Sequence, residues 1–198
     1  MDRAKILKTS IVMIVIVVLI VGYYYYLSTR NEKANSAQAT EDKVVEEMTP
    51  VQELLAMSKY KEYPTTPVQV VKYYNEVTAC FYNETYSEEE LEELAKLAQT
   101  LYDPELKANS SYEQYLSKLK DDITVFRTGN ITVYDSQVTP ATDVEYFEHN
   151  GDTCAKLYCM YTLKSGTVYQ TSREVYILRK DAEGHWKIFG FDIAVDPE

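Results

Sequence analysis

The chain has 198 residues and a formal net charge of −11, with 20 basic side chains against 31 acidic ones. This balance argues against a nucleic acid partner, because affinity for phosphates depends on basic side chains that neutralise them. The three cysteines form no Cys-x-x-Cys or Cys/His cluster, which argues against a structural zinc site. We therefore predict no nucleic acid partner, no metal and no cofactor.

The first predicted element is an apolar N-terminal segment, Ile11 to Val21. No small-x-small cleavage signal follows it directly, so we favour a retained transmembrane helix over a cleaved signal peptide. A belt of aromatic residues at the membrane interface comes next: Tyr23, Tyr24, Tyr25 and Tyr26. Basic residues before the segment predict an N-inside, single-pass protein of the cell membrane, with the C-terminal domain outside the cytoplasm.

A charged tether without aromatic residues and then a set of helices are predicted next. Helix starts with the S/T-x-x-E/Q pattern of a capping box occur four times: Thr49–Gln52, Thr66–Gln69, Ser87–Glu90 and Ser111–Gln114. They predict helices near 50–60, 67–82, 88–101 and 112–126, with a short turn opened by Asp103-Pro104. Apolar spacing over 67–82 predicts that this helix packs against a sheet.

From about residue 130 the hydrophobic period changes to two, which predicts strands. The turn signals between them are Asn150-Gly151-Asp152, Ser165-Gly166 and Asp181 to Gly184. We predict an α+β fold in which an N-terminal transmembrane helix is followed by helices and then a curved antiparallel sheet. The predicted organisation is 1–29 tail and transmembrane helix, 30–60 linker with a short helix, and 61–198 domain.

Alternation along the predicted third strand places Ala155, Leu157, Cys159 and Tyr161 on one apolar face. Cys159 then points toward the helix that carries Cys80. Two interpretations stay open: a Cys80–Cys159 disulfide, and two separate buried thiols that behave as small apolar side chains.

Helices followed by long hairpins and the last strand "GHWKIFGFDI" resemble the NTF2-like cone fold over about 61–196. The segments "GYYYYLS", "VVKYYNEVTACFYN" and "EVYILRKDAEGHWKIFGFD" also resemble an uncharacterised domain-of-unknown-function family of single-pass, membrane-anchored proteins of Gram-positive bacteria. The cone fold implies a domain with a cavity on the concave side of its sheet. The second resemblance implies no activity.

Candidate catalytic residues are few. His149 and His185 lie at predicted turns and are interpreted as solvated, so no His–Asp pair is expected. Strict alternation places Asp192 on the face of Trp186 and Ile188, and the cone fold turns that face into the cavity. Asp192 is thus a weak candidate for a general base; the other interpretation is a carboxylate in water at a strand end.

We expect a membrane-anchored, extracytoplasmic NTF2-like binding or scaffold module without catalysis, which contacts a protein partner or a second copy of itself. The alternative is a carboxylate-dependent enzyme or a small-ligand binder that uses the cavity around Asp192. An open polar cavity that holds Asp192 and a tyrosine within hydrogen-bond reach favours this alternative. A cavity filled by Trp186, Phe189 or Phe191 favours a scaffold.

Overall fold

A computed structural model describes residues 48–194, which belong to one compact unit that begins at Met48. The helices are α1 (Pro50–Ser58), α2 (Pro67–Asn83), α3 (Glu88–Thr100), α4 (Pro104–Ala108) and α5 (Tyr112–Thr128). The strands are β1 (Ile131–Val138), β2 (Glu145–His149), β3 (Asp152–Ser165), β4 (Val168–Lys180) and β5 (Trp186–Ile193), with a 3-10 helix, Ala141–Asp143, before β2.

Local sequence starts the long helices. Each of the four predicted capping boxes is complete: the cap hydroxyl accepts from the backbone N–H three residues on, and the side chain there accepts from the backbone N–H of the cap. The cap residues are Thr49, Thr66, Ser87 and Ser111. The predicted helix starts are confirmed, and Asp103 caps the short α4 through Glu105 N–H.

The five strands form one antiparallel sheet built around β3. One edge of β3 is shared by two strands, β2 along residues 152–156 and β1 along residues 159–165. Its other edge pairs with β4, which pairs with β5. Gly166 and Gly184 sit in the β3–β4 and β4–β5 hairpin turns with φ of +58° and +84°, the left-handed region that favours glycine.

The core lies between the helices and one face of the sheet. As predicted, α2 packs against the sheet, contacting β1, β3 and β5. The inner face of the sheet contributes buried side chains from three strands: Ala155, Leu157, Cys159, Tyr161, Tyr176, Leu178, Trp186 and Ile188. Val51, Leu54 and Leu55 of α1 are also buried in this core, so the helix that we placed in the linker 30–60 is part of the compact unit.

The predicted architecture needs one correction. Helices followed by an antiparallel sheet are present, but no helix within residues 48–194 is long and apolar enough to cross a membrane. The segment from Ile11 to Val21 and the interfacial belt Tyr23–Tyr26 lie outside the described residues. The location at the cell membrane rests on the same segment and stays a prediction.

Candidate functional site

A cleft with two lobes opens between α2, α5 and the inner face of the sheet. The lobes have volumes of about 270 Å³ and 170 Å³. Both are lined by Tyr74, Thr78, Tyr82, Asp122 and Phe191, so they are parts of one cleft. The first lobe continues toward the sheet, and the second continues toward Tyr102 and α5.

Periodicity explains why these residues meet. Side chains four apart lie on one helix face, and alternate residues lie on one strand face. Three residues with this spacing line the cleft from each of three elements: Tyr74, Thr78 and Tyr82 from α2, Lys118, Asp122 and Phe126 from α5, and Ser172, Glu174 and Tyr176 from β4. A chain with helix and strand patterns in these registers therefore assembles an aromatic cleft with carboxylates in its wall.

A series of close polar contacts leads from the first lobe into the core. The Tyr176 hydroxyl donates to Glu174 Oε2 at 2.9 Å and lies 2.7 Å from the Tyr161 hydroxyl. Tyr161 donates to Asn75 Oδ1 at 2.5 Å, and Asn75 Nδ2 donates to Cys159 Sγ at 3.2 Å. Tyr161, Tyr176, Asn75 and Cys159 are buried, so these contacts hold the Glu174 carboxylate in a fixed position at the cleft wall.

Two carboxylates face the first lobe. Burial raises the pKa of the Glu174 carboxyl, the hydrogen bond from Tyr176 lowers it, and the charge of Asp192 raises it. Asp122 lies at the rim and is exposed. Burial raises the pKa of the Tyr82 hydroxyl, and the charges of Asp122 and Glu174 add to this effect. Both carboxylates therefore lie near the Tyr82 hydroxyl, in the same part of the first lobe.

Glu174→Gln should stabilise the protein against unfolding at neutral pH. The folded state holds the Glu174 proton more tightly than the unfolded state. Wild-type stability therefore falls as pH rises from the ordinary glutamate range through the raised pKa. Glutamine keeps an acceptor for Tyr176 and has no proton to lose. Urea unfolding across this pH range should show the stability gain of the variant growing with pH and then levelling off.

The exposed Glu89 of α3 provides the matched control, Glu89→Gln, which removes the same charge far from a buried environment. A Glu174→Gln protein that loses stability with rising pH relative to wild type would show that the carboxylate stabilises the fold.

The Thr78 hydroxyl is a polar group without a partner. Its Oγ1 atom is buried and makes no hydrogen bond within residues 48–194, although Thr78 lines both lobes. A buried polar atom that makes no hydrogen bond costs about 1 to 3 kcal/mol. A threonine at this position is thus not explained by packing alone.

Thr78→Val should raise the free energy of unfolding by about 1 kcal/mol, because valine has the same shape without the unpaired hydroxyl. The midpoint of urea unfolding measures this change. Thr124→Val is the control: Thr124 is exposed on α5 and its hydroxyl donates to Lys120 O at 2.8 Å. We expect a change within about 0.5 kcal/mol there, and a loss of stability in Thr78→Val would contradict this interpretation.

Asp192 does not line the cleft, which corrects its predicted placement. A β-bulge at Phe189 in β5 shifts the register, so that Ile188 pairs with Leu178 but Gly190 pairs with Ile177. Phe191 then pairs with the inward-facing Tyr176, and Asp192 is exposed. The strict alternation that we assumed is broken by the bulge.

The three cysteines are buried free thiols. Burial raises the pKa of the Cys80 thiol to about 11 and also raises the pKa of the Cys154 and Cys159 thiols. The structure thus has no bond between Cys80 and Cys159. Thiols that stay protonated are weak nucleophiles, so these side chains act as small packing groups.

The two histidines lie away from the cleft, as their predicted turn positions implied. His149 is exposed at the end of β2. Potential ligand atoms of His185, Asp181 and Glu183 lie within 4.8 Å of one another in the β4–β5 turn. Asp181 Oδ1 accepts from the backbone N–H groups of Glu183 and His185, so the turn itself explains why the aspartate is there.

Sequence reasoning missed Glu174 and Asp122, although both carried a signal. Glu174 alternates with Tyr176 and Leu178 in "EVYIL", and an inward-facing Tyr176 implies an inward-facing Glu174. Asp122 is one helix turn from Phe126 on α5. A carboxylate among the apolar residues of one helix or strand face is the pattern that indicates such a candidate site residue.

Comparison with known families gives one match. A family model described as a domain of unknown function, DUF6715, matches residues 1–191. No curated protein matches the chain.

Proposed function

We propose a binding function for this chain, which belongs to the DUF6715 family of domains of unknown function. The proposed binding site is the two-lobed cleft between α2, α5 and the sheet, and the proposed ligand is a small molecule. The domain binds this ligand without transforming it.

The observation that carries the proposal is a partly buried carboxylate, Glu174, fixed by a tyrosine in the wall of an open aromatic cavity. Small-molecule sites are typically concave, mostly aromatic or apolar, and contain a few positioned polar groups. Thr78, whose Oγ1 atom is buried without a hydrogen-bond partner, lies in the same wall. Polar groups that are buried without full pairing lower the free energy of unfolding of the protein without ligand. This cost is common where function and stability compete.

The aromatic side chains near the sheet edge do not fill the cleft. Trp186 is 6% exposed and belongs to the core. Phe189 packs under the guanidinium of Arg179, whose carbon lies 4.4 Å from the ring centroid. Phe191 lines the wall and remains 43% exposed. A cleft that stays open beside these rings supports a ligand-binding role over a pure scaffold.

Binding is favoured over catalysis by the chemistry of the lining. Burial raises the pKa of the Tyr74, Tyr161 and Tyr176 hydroxyls, which keeps these phenols neutral. Neither His149 nor His185 lines either lobe. Apart from phenols, the titratable side chains that line the first lobe are the carboxylates of Glu174 and Asp122, and no histidine among residues 48–194 lines it as a partner acid or base near neutral pH.

The proposal is tested by blocking the first lobe. Ser172 points into it from β4, whereas its neighbour Thr171 is exposed. The purified full chain, Ser172→Phe and Thr171→Phe would be screened against one fragment set of cationic, neutral and anionic compounds by ligand-observed NMR. Fragments that bind wild type and Thr171→Phe should lose binding to Ser172→Phe. Equal binding of every fragment to all three proteins would refute the cleft as the site.

A further inference from the structure

We propose that the ligand of this cleft is a small organic cation, with an ammonium group in the first lobe beside Glu174 and an apolar tail in the second lobe. This inference rests on the proposed function, because it names the ligand class for the same site.

The charges in the first lobe have one sign. Its lining contains the carboxylates of Glu174 and Asp122, and no lysine, arginine or histidine among residues 48–194 lines it. An anionic ligand would meet two negative charges, whereas a cation is attracted to both. The net charge of −11 adds a long-range field that concentrates cations near the protein.

The Glu174 carboxylate lacks a counter-charge. Within residues 48–194 it makes no ion pair, and its hydrogen bond is with the neutral Tyr176 hydroxyl. Burying a charge without a partner of opposite sign is unfavourable. A ligand ammonium group at this position would supply the missing charge.

Aromatic rings surround the same space. The first lobe is lined by Tyr74, Tyr82, Phe126, Tyr161, Tyr176 and Phe191. Tyr82 stacks on Phe126 with centroids 4.0 Å apart, and Tyr176 stacks on Phe191 at 5.7 Å. Ring faces attract ammonium groups, and several rings around one cation form the cage that recognises alkylammonium ligands.

A metal ion suits this lining poorly. Hard cations such as Ca²⁺ take six to eight oxygen ligands, whereas most of this wall is carbon from rings and from Val133 and Leu163. An alkylammonium group, which carries its charge on an apolar surface, matches both the carboxylates and the rings.

The second lobe is suited to an apolar tail. Its wall includes Phe81, Tyr102, Tyr115 and Leu119, and Tyr102 and Tyr115 meet edge to face with centroids 6.1 Å apart. Lys118 and Asp122 both line this lobe, so their charges balance and the lobe does not favour a second positive charge. The two lobes together therefore predict a ligand with a single cationic head.

The test uses a matched pair of probes on the full chain. Choline carries a trimethylammonium group, and 3,3-dimethylbutan-1-ol has the same shape with a neutral carbon in place of nitrogen. Dissociation constants would be measured by titration followed by NMR for wild type, Glu174→Gln, Ser172→Phe and the exposed control Glu89→Gln. Choline should bind wild type and Glu89→Gln about tenfold or more tighter than the neutral alcohol. Glu174→Gln should weaken choline about tenfold and leave the alcohol unchanged.

The outcomes separate the two proposals. If choline binds no tighter than the alcohol, or if Glu174→Gln leaves choline unchanged, the cationic ligand class is overturned. The cleft itself then still stands where Ser172→Phe abolishes binding of the alcohol or of other fragments. If Ser172→Phe retains the wild-type affinity for every probe, both the ligand class and the site are wrong.

Discussion

Replacing Arg179 by methionine should destabilise the protein by about 3 to 5 kcal/mol, because it leaves a buried carboxylate without its charged partner. Asp103 is 2% exposed. The guanidinium holds it with two hydrogen bonds, Nε to Oδ2 at 3.0 Å and Nη2 to Oδ1 at 2.6 Å. Asp103 also caps α4 through Glu105 N–H. Urea unfolding of the full chain measures the loss.

A double-mutant cycle separates the ion pair from packing. Asp103→Asn in the Arg179→Met background should recover part of the stability, because asparagine removes the buried charge and is still a good N-cap. Lys96→Met tests an exposed ion pair instead: Lys96 lies 3.4 Å from Glu92 on the surface of α3, and we expect a change below about 1 kcal/mol. An equally small effect of Arg179→Met would contradict the dependence of the buried Asp103 carboxylate on the guanidinium.

Trp186→Ala should cost about 3 to 5 kcal/mol, as is typical when a well-packed aromatic side chain is removed from a core. The indole is 6% exposed, its ring lies 5.8 Å from the Tyr146 ring, and Tyr63 donates to the Trp186 carbonyl at 2.8 Å. Because whole domains are stable by about 5 to 15 kcal/mol, this loss should unfold much of the population. Circular dichroism and urea unfolding would show it.

Fluorescence provides an independent check, since Trp186 is the single tryptophan of the chain. Its native emission should be blue-shifted and should move to the red on unfolding. Tyr60→Ala serves as the control, because Tyr60 is 90% exposed and its loss should change stability by less than about 0.5 kcal/mol. Red-shifted native emission together with a stable Trp186→Ala protein would place the indole outside the core.

Features set by neighbouring residues were predictable from the sequence. The capping boxes at Thr49, Thr66, Ser87 and Ser111 each involve residues three apart, and all four are present. The inward face of β3, including Cys159, also followed from its alternation. In both cases the information lies within one helix turn or one strand.

Features set by distant contacts were not predictable. Ile188 N–H donates to Leu101 O and Ile188 O accepts from Asp103 N–H, each at 2.8 Å, so β5 pairs with the end of α3 as well as with β4. The bulge at Phe189 directly follows this contact and turns Asp192 outward. No local pattern in "WKIFGFD" indicates a contact with residues 101–103. Strict alternation therefore predicted Asp192 in the cavity, and Glu174 was not identified.

The cleft between α2, α5 and the sheet is the proposed binding site for a small molecule. Tyrosine-selective isotope labelling tests it most directly, because tyrosines line the cleft and also lie on the outer surface. With a bound ligand, the ring signals of Tyr74, Tyr82, Tyr161 and Tyr176 should shift, while those of the exposed pair Tyr134 and Tyr169 should stay in place. Shifts confined to Tyr134 and Tyr169, with the cleft tyrosines unchanged, would contradict the account.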